Sequence, residues 1–368
     1  MSTNNTKLKQ EKVKAAIINL FIGDALSMPV HWFYNRFDII KTFGINGITK
    51  MQAAPALHPS SIMNLHSTTS GGRKNKKNSQ EKQIVGDVIL KGKAHLWGRV
   101  NGHYHHGMSA GENTLNAWCA KWLITSLIDN PSYSVDSWAK EYISLMTSET
   151  ANHPDTYAES YHREFFSNYI EGKDISKCGA ITHDTPSMGA LVTVAPLAFS
   201  LLSFMPLNEV VKTCQEHVFL THPDEGLMYV VKSFVVLIDN LLNKDLKDEE
   251  ILEAIYKAAC VIPKVDISKL IASNKEDSYV LGQKYSLACY ITDSWPSVCF
   301  LAAKYYKDSK KALLINTNLG GENAHRGSVL GVIIGLASGK FDEEFYKDLA
   351  QYENLNPLIN EYLKKFYP

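Results

Sequence analysis

The sequence predicts an all-α fold in a single domain, a helical bundle rather than a nucleotide-binding sheet. Three observations carry that expectation. Apolar residues recur at the 3, 4, 7 spacing of a buried helical face in several long segments. Strand-like alternation is confined to one stretch, "QIVGDVILKG" at 83–92. The glycine-rich segment "NLGGENAHRG" follows helix-like sequence and lacks both GxGxxG and GxxxxGK[ST].

Taken in order, residues 1–12 read as a polar, flexible tail, and 13–26 as an amphipathic helix through Val13, Ile17, Leu20, Phe21 and Ala25. Residues 67–82, "STTSGGRKNKKNSQEK", hold no large apolar side chain and read as a solvated or disordered insertion. Helices are expected at 113–127 and 135–146. Another begins after Pro223, where Asp224 and Glu225 suit a helix N-terminus and Leu227, Val230, Val231, Phe234, Leu237, Ile238 and Leu241 form its buried face. Two more are expected near 248–260 and 295–306. The domain proper then runs over 13–368.

With 38 basic and 38 acidic residues in 368, the chain carries no net charge, and nothing in it favours nucleic acid or an anionic membrane. No apolar run reaches the roughly 18–20 residues expected of a membrane span. The N-terminus lacks a signal-peptide core, and the six cysteines are widely spaced without a CxxC pair. A cytoplasmic protein with reduced core cysteines is the expectation.

Gly327, Gly331, Gly335 and Gly339 recur at every fourth position of an otherwise apolar run. Each glycine inside a helix costs roughly 0.5–1 kcal/mol relative to alanine. A smooth stripe offsets that cost when a second helix must approach closely, so this helix is expected to be central and buried all round. Its start is dressed with Glu322, Asn323, His325 and Arg326, beside the unsatisfied N–H groups of a helix N-terminus. A ligand-binding end and a buried capping turn both fit that pattern. A second Gly-Glu-Asn triplet, Gly111-Glu112-Asn113, also precedes an apolar helix. Two such starts invite one shared site, with Glu112 and Glu322 as its carboxylates.

Six segments, in order, resemble the ADP-ribosylglycohydrolase superfamily. "GDALSMPVH" is similar to that family's GDALGxPxE opening, and "GENTLNAWCAKWL" stands where it has TDDTxMTLALAESL. "SMGALVTVAPLAF", "THPDEGLMYVV" and "DSWPSVCFLAA" resemble three further elements, and the glycine-ladder segment resembles GGDTDTxAAIAGALLGA. The resemblance implies an orthogonal helical bundle of that type and removal of ADP-ribose from an acceptor, through a dimetal centre. The family's metal-ligand positions are matched here by His31, by Gly111-Glu112-Asn113, and by Glu322, Ala324 and His325; its arginine in the third element is matched by Thr193. These substitutions resemble the branch containing selenoprotein J and the jellyfish J-crystallins.

Two magnesium ions demand hard oxygen ligands in near-octahedral geometry. Only Glu112 and Glu322 keep a carboxylate at those positions, Asn113 is neutral, and Ala324 has no donor, so a dimagnesium centre is not expected. Three readings remain. One borderline divalent ion is held by His31, Glu112, Glu322 and His325. Or a metal-free site uses Glu112 or Glu322 as general base, with His31, Asn113, Asn323, His325 and Arg326 binding a nucleotide-ribose ligand or ADP-ribosylated acceptor. Or the chain is a non-catalytic ADP-ribose binder or a crystallin-like structural protein. Secondary candidates are the HxHH cluster of His103, His105 and His106, the pocket-rim pair Asp184 and Thr185, and Trp97 and Tyr104 as adenine-stacking surfaces. For each of these, ordinary core packing or loop hydrogen bonding is the competing reading, as a core position is for His31 and a cap for Glu112.

Overall fold

The computed structural model describes residues 3–73 and 83–368. Sixteen α-helices order the described residues, and no strand is present among them. They are α1 (Thr3–Ser27), α2 (Arg36–Phe43), α3 (Leu115–Asp129), α4 (Val135–Met146), α5 (Ser160–Ile170), α6 (Val194–Leu202), α7 (Leu207–Phe219) and α8 (Glu225–Asn243). There follow α9 (Asp248–Ala259), α10 (Ile267–Ala272), α11 (Asp277–Val280), α12 (Ile291–Tyr305), α13 (Ser309–Leu319), α14 (Asn323–Ser338), α15 (Glu343–Lys347) and α16 (Tyr352–Phe366).

The axis of the molecule is α14 against α1, and the glycines explain why. A methyl group on Gly331 would stand 2.3 Å from Asn19 O, and one on Gly335 2.5 Å from the backbone of Ala16. On the facing helix, one on Gly23 would stand 2.3 Å from Gly327 O. Only bare backbone permits that approach, and the pairing 23–327, 19–331, 16–335 makes the two helices antiparallel. The fourth glycine of the ladder does a different job: Gly339 ends the helix in the left-handed conformation, φ 66°. Helices α12 and α13 pack on α14, α8 supports both α1 and α14, and α16 crosses α1 and α3.

Three expectations are corrected. The first helix starts at Thr3, not Val13. Residues 3–12 are rich in Lys, Gln and Glu, good helix formers that carry no apolar signal. Lys12 donates to Leu241 O at 2.7 Å, and the Gln10 amide reaches Tyr367 O. The stretch at 83–92 is a turn around Gly86, φ 105°, not a strand. Finally, α1 with the turn after it, Thr6–Val30, is long and apolar enough to cross a membrane by length and composition, at mean hydropathy 1.4. Since 94% of that window is buried within the fold, the apolarity belongs to the core.

Of the insertion expected at 67–82, residues 74–82 lie outside the described residues. Residues 67–73 form a turn. Arg163, fully buried, donates to Ser70 O and Gly71 O at 3.2 Å each, and Glu164 accepts from Gly71 N at 2.8 Å.

Candidate active site

Two chain segments meet at the N-terminus of α14. The backbone of Trp32 donates to Gly321 O, and Gly321 N donates to Phe33 O, both at 2.8 Å. This reciprocal pair sets His31 and Trp32 beside Glu322. Trp32 adopts φ 63°, a left-handed conformation that costs a bulky residue about 1–3 kcal/mol. Its compensation is local: the indole Nε1 donates to Glu322 Oε2 at 2.5 Å, and the ring stacks on His31 at 3.7 Å.

Glu322 is the hub. Its Oε1 lies 3.3 Å from His31 Nε2 and in close contact with His325 Nδ1, and all three side chains are fully or almost fully buried. From His31 a line of groups runs outward through the ring. His31 Nδ1 meets His105 Nε2 at 2.8 Å, and His105 Nδ1 meets Asp155 Oδ1 at 2.7 Å. Asp155 in turn accepts from Leu115 N at 2.7 Å, the first helical amide of α3, where a carboxylate is favoured. On the other side, His325 Nδ1 lies 3.6 Å from Glu159 Oε1. Glu159 precedes α5 without capping it, and its second oxygen accepts from Asn116 Nδ2 at 2.9 Å. Room for that pair exists because residue 189 is glycine: a methyl group there would stand 2.6 Å from Glu159 Oε2 and 2.7 Å from Asn116 Nδ2.

Burial works against every charge in this cluster, and neighbours decide which survive. Burial pushes the Glu159 carboxyl up to about 8, opposed by His325 and reinforced by the Glu322 and Asp184 carboxylates. Burial acts the same way on Glu322, but His325 and then His31 outweigh it and hold it well below the usual carboxylate range. His325, though desolvated, is raised to about 10 by Glu159 and Glu322. His31 is driven down to about 3 by burial. Asp155 resists the same burial through His105 and stays below its ordinary value. The two carboxyls are thus pushed in opposite directions, Glu159 towards its neutral form and Glu322 towards its ionised one.

Of the residues expected at the site, the structure brings together His31, Glu322 and His325. Glu112 is elsewhere: it is only partly buried, and its Oε2 accepts from Ser109 N at 2.6 Å in an exposed turn. It is therefore corrected as a catalytic and metal-ligating candidate. The other three expected ligand-binding residues are spent on partners within the fold. Asn113 donates to Phe21 O and Asp24 Oδ2 at 2.8 and 2.9 Å. Asn323 donates to Thr317 O at 2.9 Å and Val30 O at 3.4 Å. Arg326 clamps the α13–α14 turn through Asn316 Oδ1 at 2.7 Å and Gly320 O at 2.8 Å. None of its side-chain hydrogen bonds goes to the Glu322 carboxylate.

Of the HxHH cluster, only His105 joins the relay, while His103 bonds Pro29 O at 3.1 Å. Asp184 lies near the site and bonds the Thr182 hydroxyl at 2.7 Å. Trp97 and Tyr104 are buried against Tyr157, at 5.3 and 5.0 Å between rings, so they offer no open stacking face.

Sequence reasoning missed Asp155 and Glu159. Both fall in "NHPDTYAESYHR", which has no helical or strand period. The available signal was an unusual density of acids, histidines and tyrosines in a segment flanked by two helices. His105, by contrast, sat in a cluster already singled out.

The donor set does not fit two magnesium ions. Among the described residues, Glu322 is the one carboxylate converging with the two imidazoles, and Ala324 offers no donor. Asp24 is also spent, accepting from Asn113 and from the Thr114 amide and hydroxyl at 2.6–2.9 Å. The cavity beside the cluster, lined by His31, Trp32, Asn116, Tyr157, Glu159 and His325 among others, measures about 10 Å³, room for about one water.

Comparison with known proteins agrees with this architecture. One solved structure, an "ADP-ribosylglycohydrolase-related protein complex", superposes with a TM-score of 0.61 over 98% of this chain and 100% of that one, at 14% identity. At that identity the likeness speaks for the fold. No curated protein matches the sequence. The model of the family described as "ADP-ribosylglycohydrolase" matches residues 5–368, and the chain therefore belongs to the ADP-ribosylglycohydrolase family.

Proposed function

We propose that this chain hydrolyses the glycosidic bond between an ADP-ribosyl group and its acceptor, using Glu159 and Glu322 as the carboxylate pair. One observation carries the reading: two buried carboxylates from distant segments meet on a single imidazole, His325. Two like charges so placed are not both ionised at low cost. Glu322 has the donors, from Trp32, His325 and His31, and keeps its charge; Glu159 has one strong donor, Asn116, and keeps its proton. A neutral acid beside a carboxylate is the pairing that glycosidic cleavage needs. Glu159 gives its proton to the leaving acceptor atom and takes one back from water. Glu322 offsets the positive charge that develops at the anomeric carbon. No step requires the family's magnesium pair.

The space beside the carboxylates suits the attacking water rather than the sugar. The test is release of ADP-ribose from ADP-ribosylated peptide. Glu159→Gln is expected to lower kcat by about 10²–10⁴-fold with the circular dichroism spectrum unchanged; undiminished turnover contradicts the assignment.

A second reading rests on the smallness of the same cavity. A chain of the selenoprotein J and J-crystallin type, with its pocket filled by Trp32 and Tyr157, is a non-catalytic member of the fold. It predicts no heat on titration with ADP-ribose and no hydrolysis by wild type.

A further inference from the structure

We infer that Asn116 is a positioning residue for Glu159. Its amide is turned and locked from behind by a one-way line of hydrogen bonds from Tyr142 and Tyr161, so that Oε1 is the oxygen Glu159 offers to substrate. That role rests on the hydrolase reading; the geometry behind it does not.

Four side chains from three helices make the line. Asn116 lies in the first turn of α3, Tyr142 in α4, and Tyr161 and His162 in the first turn of α5. None is more than 5% exposed. Buried polar groups find their partners inside the fold, so each proton can be followed. The Tyr142 hydroxyl lies 2.5 Å from His162 Nδ1, its one partner among the described residues. Burial keeps this phenol protonated and drives His162 well below its ordinary value, so the ring is neutral and carries one N–H. Tyr142 therefore donates to Nδ1, and the ring proton sits on Nε2. That nitrogen lies 3.1 Å from Asn116 Oδ1. The Tyr161 hydroxyl, 2.9 Å from the same oxygen, has no other partner among the described residues and donates there too.

Two donors on one side decide between the two orientations of the amide. The Asn116 carbonyl faces α5, and Nδ2 faces Glu159, donating to Oε2 at 2.9 Å. In the protonated acid, the oxygen that accepts from Asn116 is the carbonyl oxygen. The proton to be transferred then belongs to Oε1, the oxygen turned towards His325 at 3.6 Å.

The donors are themselves held. The Tyr161 ring lies 4.0 Å from both His162 and His222, and the Tyr142 ring 5.4 Å from both Phe165 and Phe166. Side chains locked by packing in this way keep a reacting group in its productive geometry.

The full chain, labelled with ¹⁵N at histidine, tests the line by NMR. His162, identified by the signal lost in His162→Gln, is expected as the neutral Nε2–H tautomer at neutral pH. The Nδ1–H tautomer would turn the amide over and overturn the proposal. Turnover of ADP-ribosylated peptide gives the second readout. Asn116→Leu is expected to lower kcat about 100-fold with KM within about twofold of wild type. His162→Leu lowers kcat about tenfold, and His162→Gln, whose amide still donates to Oδ1, recovers most of that loss. Wild-type turnover by Asn116→Leu, a change in KM in place of kcat, or equal losses in the two His162 variants overturns the proposal. Should Asn116→Leu fail to fold, the tautomer and the His162 pair decide it. Activity lost in Glu159→Gln but kept in Asn116→Leu overturns only this inference. A wild type without hydrolysis overturns the hydrolase reading, and the tautomer then decides the orientation of Asn116 by itself.

Discussion

The same three residues, Gly-Glu-Asn, stand before two helices of this molecule and do different things. At both places the glycine has positive φ, 80° at Gly111 and 67° at Gly321, and presses on neighbouring backbone. A methyl group would meet Asp348 O at 2.1 Å in one case and Leu287 O at 2.3 Å in the other. At both places the asparagine ties the helix start to a backbone carbonyl. Only the glutamates diverge. Glu322 is itself the N-cap of α14 and points inward to His31, Trp32 and His325. Glu112 lies two residues ahead of the α3 N-cap, Thr114, and closes an exposed turn on Ser109. Two residues of phase relative to the helix start separate a fully buried carboxylate from a partly exposed one.

That contrast can be broken by substitution. Glu322→Ala removes the anion from a buried cluster and leaves His325, His31 and the Trp32 indole uncompensated. A loss of about 3–5 kcal/mol is expected in urea denaturation. A loss under 1 kcal/mol would mean that Glu322 is no hub. Gly111→Ala and Gly321→Ala should each cost about 2–4 kcal/mol, because each puts a side chain into left-handed backbone and against a carbonyl. Near-equal values sharpen the comparison by showing that the glycines share one role; a tolerated substitution at either site breaks it.

A control away from both helix starts is His217, buried, bonded to Tyr133 and Thr193, and pushed down to about 4 by burial. Below pH 6.5 the unfolded chain binds a proton there that the folded chain refuses, so stability falls as pH drops from 6.5 towards about 4. Its share is about 1 kcal/mol per pH unit, and His217→Gln should flatten a stability–pH profile by that slope. The smallest effect belongs to Glu112→Ala, below about 1 kcal/mol, since it removes one partly exposed hydrogen bond.

Much of the architecture was legible because it is a matter of space. A glycine at every fourth position left α14 no option but close contact, and the apolar residues around it fixed its central place. Asp224 was readable as a cap, and it does accept from Leu227 N at 2.7 Å. The site was less legible because it is a matter of phase and distance. Helix starts are readable to within one or two residues, the very interval that separates the roles of Glu112 and Glu322. Arg326 looked like a ligand partner, but a buried guanidinium beside a helix–helix turn finds carbonyls first. Asp155 and Glu159 come from an aperiodic connection whose path only tertiary packing sets.

The sharpest measurement is hydrolysis of an ADP-ribosylated peptide by three variants side by side, Glu159→Gln, Glu322→Gln and Glu112→Gln, each verified as folded. The account predicts turnover cut by about 100-fold or more in the first two and within about twofold of wild type in the third. Activity lost with Glu112, or kept without Glu159, would contradict it.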